Sequence, residues 1–279
     1  MAGTAALIYQ SAVQGALELV ERSAQSLAEL GLESVLLPVQ TLDGESLPAG
    51  LSIGVTFGGD GTILRAARWL AGSGTPIVGV QMGRLGFLAE IQPSELPGGL
   101  ARYVRGDCWL DHRAMVRAQR VDPSGRPQGN DFVGLNEIVL GRGASARTVT
   151  VDVSLQGQLL QRFYCDGLIV ATATGSTAHS LAAGGPVVAP DSRALVLTPI
   201  CPHIAALHAV VLPGDPPFQL RLWSPEPGLL TLDGQVEESV EDGTTVEVAV
   251  SEQETVFARR GTPAELYRRI LAKLAREDV

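Results

Sequence analysis

Hydrophobic and polar positions follow two different patterns along the chain, and the change comes near residue 107. Before it, short apolar runs suited to buried strands alternate with stretches in which apolar residues recur every three or four positions. The apolar runs are residues 4–10, 34–38, 51–57 and 75–80, and the helical stretches are 15–31 and 61–72. This alternation predicts a parallel sheet flanked by helices.

The first helical stretch shows the helical period most clearly. Leu17, Val20, Ala24 and Leu27 recur at spacings of three and four, which predicts one buried face. Gly31 follows the last periodic residue, and glycine is the residue that most often ends a helix. We therefore expect a helix that ends at Gly31.

After residue 107 the apolar stretches become short, β-branched and separated by turn residues. Residues 149–155 alternate strictly between apolar and polar, and the following Gln-Gly-Gln at 156–158 predicts a hairpin. Residues 121–131 are polar and rich in turn formers, which predicts a loop. The pattern as a whole indicates an antiparallel β domain.

The last segment of the chain returns to the helical period. Thr262, Pro263 and Glu265 have the types and spacing of a capping box with proline at the first helical position. The fold predicted is therefore α/β plus all-β. A parallel-sheet α/β domain covers residues 1–106 and an antiparallel β domain covers 107–256, with the C-terminal helix, 257–279, packed back on the first domain.

Charge, cysteine and lysine content narrow the classes of function. The net charge of −9 argues against a broad nucleic-acid-binding face and against electrostatic attachment to an anionic membrane. No apolar run has the length of a membrane span, and no leader pattern begins the chain. Cys108, Cys165 and Cys201 are far apart, which is typical of a reduced cytoplasmic protein. The only lysine is Lys273, so the chain has no P-loop.

The stretch Gly-Gly-Asp-Gly-Thr, residues 58–62, lies between a predicted strand and a predicted helix. Glycines permit positive φ and carry no Cβ, so a phosphate can approach the backbone there, and the helix N-terminus favours negative charge. A carboxylate that served only to bind phosphate would be unfavourable, because both groups carry negative charge. Asp60 is therefore interpreted as a base, a metal ligand or a hydroxyl acceptor. The alternative is a tight turn in which Asp60 caps the helix.

This glycine stretch resembles the phosphate-handling signature shared by NAD kinases, diacylglycerol and sphingosine kinases, and phosphofructokinases. Four further stretches resemble NAD kinases in particular and occur in that family's order. They are "GLNEIVLGR" (134–142), "DGLIVATATGSTAHSLAAGGPVV" (166–188), "LTPICPH" (197–203) and "LDGQ" (232–235). The resemblance covers nearly the whole chain.

The resemblance implies transfer of the γ-phosphoryl group of ATP, or of polyphosphate, to the 2′-hydroxyl of the adenosine ribose of NAD. Asp60 would be the catalytic base, and a divalent metal, Mg²⁺, would be held through phosphates and water without a protein ligand. A homodimer or homotetramer is also implied. The implied substrate- and nucleotide-binding residues are Gly59, Gly61, Thr62, Asn136, Glu137, Arg147, Tyr164, Asp166, Thr174, Thr177, Ala178, His179, Ser180, Leu181, Ala182, Asp233 and Gln235. Arg65, one helical turn beyond Asp60, is a candidate for binding phosphate, and the alternative is a solvated helix arginine.

At two positions the sequence departs from the family's motif. Ala173 stands where the family has proline, and His179 stands where it has tyrosine. A histidine offers a smaller face for stacking, so contacts with a flat base are expected to change at His179. Three other functions stay open at this point: a lipid kinase, a phosphofructokinase-like enzyme and a non-catalytic NAD(P)-binding regulator. Acceptance of NADH also stays open.

Overall fold

The computed structural model describes residues 3–83, 86–96, 98–145, 147–203 and 208–275. The chain divides into two compact units, Met1–His112 with Thr255–Val279, and Arg113–Glu254. The divisions fall after His112 and Glu254, whereas the sequence predicted them after residues 106 and 256. Both observed divisions lie inside long strands, where the apolar pattern of the sequence does not change.

The first unit is built on a parallel sheet, as predicted. Its strands are β1 (Thr4–Tyr9), β2 (Glu33–Pro38), β3 (Leu51–Gly58) and β4 (Ile77–Gln81). Their order is β2-β1-β3-β4, and every pair is parallel. The order reverses direction between β1 and β3, which places a topological switch point at the carboxyl ends of these two strands.

Five α-helices occur in the described parts of the chain. They are α1 (Ala16–Glu29), α2 (Asp60–Trp69), α3 (Gly98–Val104), α4 (His179–Ala182) and α5 (Pro263–Leu274). Short 3₁₀ helices add Val39–Gly44, Pro93–Glu95 and Gly175–Thr177. Among the described residues, no helix combines the length and the apolar character needed to cross a membrane.

Helix α1 buries two of the four positions predicted for its apolar face, Val20 and Leu27. The buried positions are Ala16, Val20, Ser23 and Leu27, whereas Leu17 is 47% exposed. The buried residues are spaced by four, three and four positions, which is the spacing of one helix face. This face is rotated from the predicted one toward Ala16 and Ser23. Ser23 is accommodated because its hydroxyl donates to the Leu19 carbonyl at 2.8 Å. Gly31 ends the helix with φ of +81°, as predicted.

Helix α5 belongs to the first unit and begins as predicted. The Thr262 hydroxyl accepts the Glu265 backbone N–H at 3.3 Å, and the Glu265 carboxylate accepts the Thr262 N–H at 2.9 Å. Pro263 occupies the first helical position. The helix buries Leu266 and is tied to the unit by Arg269, whose guanidinium donates to Glu90 at 2.9 Å.

The second unit consists mainly of antiparallel strands. They are β5 (Trp109–Val121), β6 (Pro127–Gly134), β7 (Glu137–Arg142), β8 (Val149–Leu155), β9 (Gln158–Cys165), β10 (Gly167–Ala171), β11 (Leu195–Ile200), β12 (Val210–Leu212), β13 (Phe218–Trp223), β14 (Gly228–Leu232), β15 (Val236–Val240) and β16 (Thr245–Arg259). Strand β5 begins, and β16 ends, in the first unit.

Two layers of strands enclose the core of the second unit. One sheet has the order β12-β11-β10-β7-β14-β15, and the other layer contains β16-β13-β8-β9. Ile138, Leu168 and Leu230 of the first layer join Val151 and Leu220 of the second in one buried cluster. The alternation read in residues 149–155 therefore reflects one face turned into this core.

The hairpin predicted after residue 155 is confirmed, but the loop predicted at 121–131 is partly wrong. Gln156 and Gly157 both have positive φ, 50° and 78°, as a two-residue hairpin turn requires. In contrast, residues from Pro127 onward form β6, which pairs with β5 across a register shift at Gln119 and Arg120. The strand is exposed from Pro127 to Asp131, so its polar residues carried no apolar signal.

Candidate functional site

The glycine stretch joins β3 to α2 beside the switch point of the parallel sheet. Strand β3 ends at Gly58, and α2 begins at Asp60. The neighbouring strand β4 ends at Gln81, which lies opposite Gly58 in the register. Ligands of open α/β sheets bind at the carboxyl ends of the strands, so this edge is where a ligand is expected in the first unit.

The glycines of this turn are needed for space rather than for left-handed backbone. None of Gly58, Gly59 and Gly61 has a positive φ, so the expectation on that point was wrong. A Cβ on Gly58 would lie 2.1 Å from the Thr62 hydroxyl oxygen, whereas a Cβ on Gly59 would meet nothing within 4 Å. Gly58 therefore lets the first turn of α2 pack against the strand, and Gly59 is partly exposed, with open space where a side chain would lie.

The Asp60 carboxylate binds two backbone N–H groups that follow β4. Phe87 N–H donates to Oδ2 at 2.7 Å, and Leu88 N–H donates to Oδ1 at 3.2 Å. Gly86 packs directly on the carboxylate, because a Cβ there would lie 2.1 Å from Oδ1. The residue that precedes α2 is Gly59, and Asp60 bonds none of the helix's own N–H groups, so the capping alternative is wrong.

These contacts leave the carboxylate able to accept further donors. Each oxygen of an ionised carboxylate has about two acceptor positions, and one N–H occupies one of them. Asp60 is only partly buried. The two amides therefore orient the group while leaving it free to accept a proton from a ligand.

Arg65, the predicted source of positive charge, lies in the same helix, five residues after Asp60. Its side chain is partly buried, and its Nε is covered but has no hydrogen-bond partner within the described parts of the chain. An arginine with an unmatched, buried donor is suited to an anionic ligand.

In the second unit, the predicted residues Asn136, Glu137 and Asp233 lie together where β7 begins. The Asp233 carboxylate accepts the backbone N–H groups of Leu135 at 3.1 Å, Asn136 at 2.8 Å and Glu137 at 3.1 Å. Asp233 itself has φ of +50° in the turn between β14 and β15. Its carboxylate is thus engaged in holding the start of β7.

Glu137 is the most perturbed acid of this cluster. Its side chain is 6% exposed, and its Oε2 is buried without a hydrogen-bond partner among the described residues. Burial, and to a lesser extent the nearby Asp233 charge, raise the pKa of Glu137 from 4.5 to about 8. A buried, unsatisfied carboxyl group is costly, and a ligand hydroxyl would satisfy it.

The segment after β10 is tied to the same cluster by its backbone. Thr172 N–H donates to the Asn136 carbonyl at 2.8 Å, and the Thr172 hydroxyl donates to the Leu135 carbonyl at 2.6 Å. A Cβ on Gly175 would lie 2.1 Å from the Asn136 carbonyl oxygen. The small residues of this segment therefore allow the close approach of two backbones.

The hydroxyls predicted to face a ligand here are largely engaged within the protein. The Ser180 hydroxyl is fully buried and lies 2.8 Å from the Thr198 hydroxyl. Thr177 donates to the Thr174 carbonyl at 3.1 Å. Ser176 donates to the Ala173 carbonyl at 2.7 Å and accepts from the Val188 N–H at 3.0 Å, which is a structural role.

Helix α4 presents His179 to solvent. Leu181 is partly buried, Ala182 is exposed, and Ala178 precedes the helix in an irregular conformation. His179 is the first residue of this one-turn helix and is exposed. An exposed ring at this position is accessible to a planar ligand.

Three predicted residues lie at the other end of the strands. Asp166 precedes β10 and Thr172 follows it, which separates them by about 20 Å at the usual rise of a strand. Tyr164 is 44% exposed, and Asp166 lies 3.5 Å from the Arg142 guanidinium. Arg147 is exposed just before Val149, which pairs with Cys165. These residues therefore do not meet the Glu137 cluster within one chain.

Sequence reasoning missed the residues that hold the predicted ones. Phe87 and Leu88 act through backbone N–H groups, which no side-chain pattern reveals. Arg113 was also missed: it is 3% exposed and donates to the Thr174 hydroxyl at 3.1 Å. The only available signal was an arginine at an inward position of an alternating strand.

No described residues form a group of three or more His, Cys, Asp or Glu side chains able to hold a metal ion. The turn at Asp60 instead offers one carboxylate and the N-terminus of α2, and the same helix carries Arg65. Such a donor set is suited to a phosphate ligand that carries its own cation.

Two family models match the chain. The model of the ATP-NAD kinase N-terminal domain matches residues 39–108, and that of the ATP-NAD kinase C-terminal domain matches residues 135–260. The first match contains Asp60, and the second contains the Glu137 cluster and the segment after β10.

Similar proteins match over nearly the full chain. The NAD kinase of Chloroflexus aurantiacus is 36% identical over 272 residues, which cover 97% of this chain and 98% of the relative. An NAD kinase from Archaeoglobus fulgidus, solved in complex with ATP, superposes with a TM-score of 0.78 at 26% identity and covers 96% and 99% of the two chains. A yeast NADH kinase, solved with NADH, has a TM-score of 0.86 at 21% identity and covers 100% and 89%, which shows the shared fold.

Proposed function

This chain belongs to the NAD kinase family and phosphorylates NAD to NADP, and we propose that Asp60 is the base of that reaction. The donor we propose is ATP, whose γ-phosphoryl group is transferred to the 2′-hydroxyl of the adenosine ribose. The observation that carries the proposal is the Asp60 carboxylate, oriented by two backbone N–H groups at the carboxyl end of β3.

The chemistry requires a base because a ribose hydroxyl is a weak nucleophile. As the 2′-oxygen bonds the γ-phosphorus, the bond from that phosphorus to the β–γ bridging oxygen breaks, and ADP leaves. The hydroxyl proton passes to Asp60. A positioned base contributes about 10² to 10⁴ in rate.

Charge on the phosphates is balanced by groups of the same turn and of α2. The N-terminus of α2, the partly exposed Gly59 and the Arg65 guanidinium support binding of the donor's phosphates, with Gly61 and Thr62 completing the turn. Mg²⁺ is proposed to be bound through phosphate oxygens and water, where it would neutralise charge on the donor.

The dinucleotide is proposed to bind the second unit through the residues around β7 and the segment after β10. The unsatisfied Glu137 carboxyl and the Asn136 side-chain amide are suited to ribose hydroxyls or to the adenine edge. Thr174, Thr177 and the exposed His179 contribute from the neighbouring segment. Asp233 and Ser180 take part by holding these residues in place, and the remaining members are Ala178, Leu181, Ala182 and Gln235.

Arg147, Tyr164 and Asp166 are proposed to serve the site of a neighbouring copy in a homodimer or homotetramer. Their distance from the Glu137 cluster, about 20 Å along β10, supports this assignment. A cytoplasmic location is also part of the proposal, supported by three free cysteines.

Activity assays test the donor and the acceptor. Purified protein is incubated with Mg²⁺ and ATP, and NADP is detected by a dehydrogenase specific for the 2′-phosphorylated cofactor. NADH, diacylglycerol and fructose 6-phosphate replace NAD in parallel, and polyphosphate replaces ATP. We expect NADP from ATP and NAD. Formation of phosphatidate or fructose bisphosphate in place of NADP would contradict the assignment.

The role of Asp60 is tested by Asp60→Asn. This variant keeps the shape of the side chain but cannot accept the proton, so we expect kcat to fall about 10²- to 10⁴-fold with NAD binding retained. Asp43→Asn makes the same change at an exposed carboxylate of the first unit and serves as the control. Wild-type turnover in Asp60→Asn would refute the base.

A further inference from the structure

Arg259, at the end of β16, has a guanidinium group that is buried in the first unit. The residue is 1% exposed, and its Nη1 donates to the Leu88 carbonyl at 2.6 Å. Its Nε donates to Asp111 at 3.1 Å, and Nη1 also reaches Glu90 at 3.2 Å. The guanidinium carbon lies 4.4 Å from the centre of the Phe257 ring. The group is therefore held from several sides.

Leu88 is the residue that connects this group to the candidate base. Its carbonyl accepts from Arg259, and its N–H donates to Asp60 Oδ1 at 3.2 Å. The preceding N–H, that of Phe87, donates to Oδ2 at 2.7 Å. One backbone segment therefore has the Asp60 carboxylate on one side and the Arg259 guanidinium on the other.

Leu88 is 5% exposed and the Lys273 ammonium lies 5.2 Å from the centre of the Phe87 ring, but few other hydrogen bonds to described residues hold this segment in place. Gly86 N–H donates to the Gln81 side chain at 3.1 Å, and the next backbone tie to β4 is at Glu90, whose N–H bonds the Gly79 carbonyl. Between these two anchors, the hydrogen bonds of Phe87 and Leu88 to other described residues are those to Asp60 and Arg259. If Asp60 turns toward a substrate, the bond to Arg259 is the one of these that still holds Leu88.

Stability alone is a poor explanation for this arrangement. Asp111 and Glu90 are 5% and 6% exposed, so the network places charged groups where desolvation is costly. Replacing buried ion networks by apolar residues is often neutral or stabilising. A network of this kind is better suited to fixing a geometry, and the geometry it fixes here is that of the Leu88 peptide.

We propose that Arg259 is a positioning residue for phosphoryl transfer, acting through the Leu88 peptide on the orientation of the Asp60 carboxylate. The inference rests on the proposed role of Asp60 as the base. Arg259 touches neither substrate nor reacting atoms. Its guanidinium holds the carbonyl of Leu88 and so restrains the position of the residue whose own N–H, in the preceding peptide unit, bonds the Asp60 carboxylate.

The neighbouring Arg269 provides a matched control. Both of its side-chain hydrogen bonds to described residues go to the same Glu90 carboxylate, at 2.9 and 3.3 Å, and neither goes to Leu88. Arg269→Met therefore removes a cation from the same network without releasing the peptide that orients Asp60. If Arg259 served stability alone, its substitution would lower the melting temperature more than Arg269→Met does, because it is the more buried, and neither substitution would lower kcat per folded molecule.

The experiment compares Arg259→Met, Arg259→Lys and Arg269→Met, with rates of NADP formation expressed per folded molecule. We expect kcat to fall about 10²-fold in Arg259→Met, since small misplacements of a reacting group cost that much, with KM for NAD changed less than about twofold. Arg259→Lys should recover part of kcat, because it keeps a cationic donor. Arg269→Met should keep kcat within about twofold even if its melting temperature falls.

A spectroscopic measurement tests the same point without turnover. The amide signals of Phe87 and Leu88 in a nitrogen–proton NMR spectrum report their bonds to a carboxylate. We expect both to shift in Arg259→Lys and to stay in place in Arg269→Met. Because the NMR comparison uses Arg259→Lys, it tests the positioning role even if Arg259→Met does not fold.

Double substitution separates this inference from the proposed base. If Arg259 acts through Asp60, Arg259→Met added to Asp60→Asn should lower kcat no further. Wild-type kcat in the Arg259 variants, a loss equal to that of Arg269→Met, or unmoved amide signals would overturn the positioning role while an inactive Asp60→Asn left the base in place. Wild-type kcat in Asp60→Asn would instead remove the base itself.

Discussion

The Asp233 carboxylate accepts the backbone N–H of Glu137 at 3.1 Å, so two acids lie together where β7 begins. Only one of them is satisfied within the described residues, since Asp233 holds three N–H groups and the Glu137 Oε2 holds none. Burial and this neighbour raise the pKa of Glu137 to about 8. The buried Glu137 Oε2 is therefore unfavourable without a hydrogen-bond partner, and a ligand that bonds this oxygen would remove the cost.

Stability should depend on pH through Glu137. Below pH 4.5 both the folded and the unfolded states hold the proton, and between pH 4.5 and about 8 only the folded state does. The free energy of unfolding should therefore fall by up to about 1.4 kcal/mol per pH unit across this window and level off above it. The free energy of unfolding of Glu137→Gln should lack this pH-dependent decrease. Urea unfolding followed by circular dichroism at several pH values measures it.

The control for this measurement is Glu29→Gln, which changes an exposed glutamate on α1. We expect its pH dependence to match that of the wild type, because the substitution leaves the buried Glu137 carboxyl unchanged. Equal slopes for the wild type and Glu137→Gln between pH 5 and pH 8 would show that the buried carboxyl does not hold its proton.

The free energy of unfolding distinguishes a structural role of Asp233 from a role in binding NAD. Asp233→Ala leaves three backbone N–H groups without their acceptor, at a cost of about 1–3 kcal/mol for each group that water cannot reach. Asp233→Asn keeps an oxygen acceptor and tolerates the positive φ, so it should cost less. A change in KM for NAD with no loss in the free energy of unfolding would contradict the structural role.

Sequence patterns predicted the elements well but not which side chains would meet. The helical period located α1 and its buried Val20 and Leu27, yet Leu17 is exposed and Ser23 is buried, because a hydroxyl bonded to its own helix can be buried. Asp60 and Leu88 are 28 positions apart, and their bond runs through a backbone N–H. No residue pattern encodes such a contact.

The functional assignment was predictable for a different reason. The glycine stretch alone left several kinase families open, and the ordered stretches of the second unit decided among them. Those stretches could not show how far apart their residues lie in the folded chain. Asp166 and Thr172 are close in sequence and belong to one motif, but a strand separates them by about 20 Å.

Gly86→Ala should impair turnover through Asp60. An added Cβ would lie 2.1 Å from Asp60 Oδ1, so the carboxylate or the segment must move. We expect kcat to fall about 10²-fold, with a smaller change in KM for NAD. Gly44→Ala is the matched control, because a Cβ there meets nothing within 4 Å and its φ is not positive. A Gly86→Ala enzyme with control-like kcat would show that the carboxylate adapts without loss.

His179→Tyr tests whether the exposed residue at the start of α4 contacts the substrate. The resemblance to NAD kinases assigns an aromatic ring to this position, and a phenol offers a larger face than an imidazole for stacking on a base. Aromatic stacking contributes about 0.5–1.5 kcal/mol, so KM for NAD should fall about 2- to 10-fold while kcat stays near its original value. His112→Tyr makes the same change at another exposed histidine and should leave KM unaltered. If both variants keep the wild-type KM, His179 lies outside the dinucleotide's reach, and the hydroxyl and amide groups around Glu137 must account for binding by themselves.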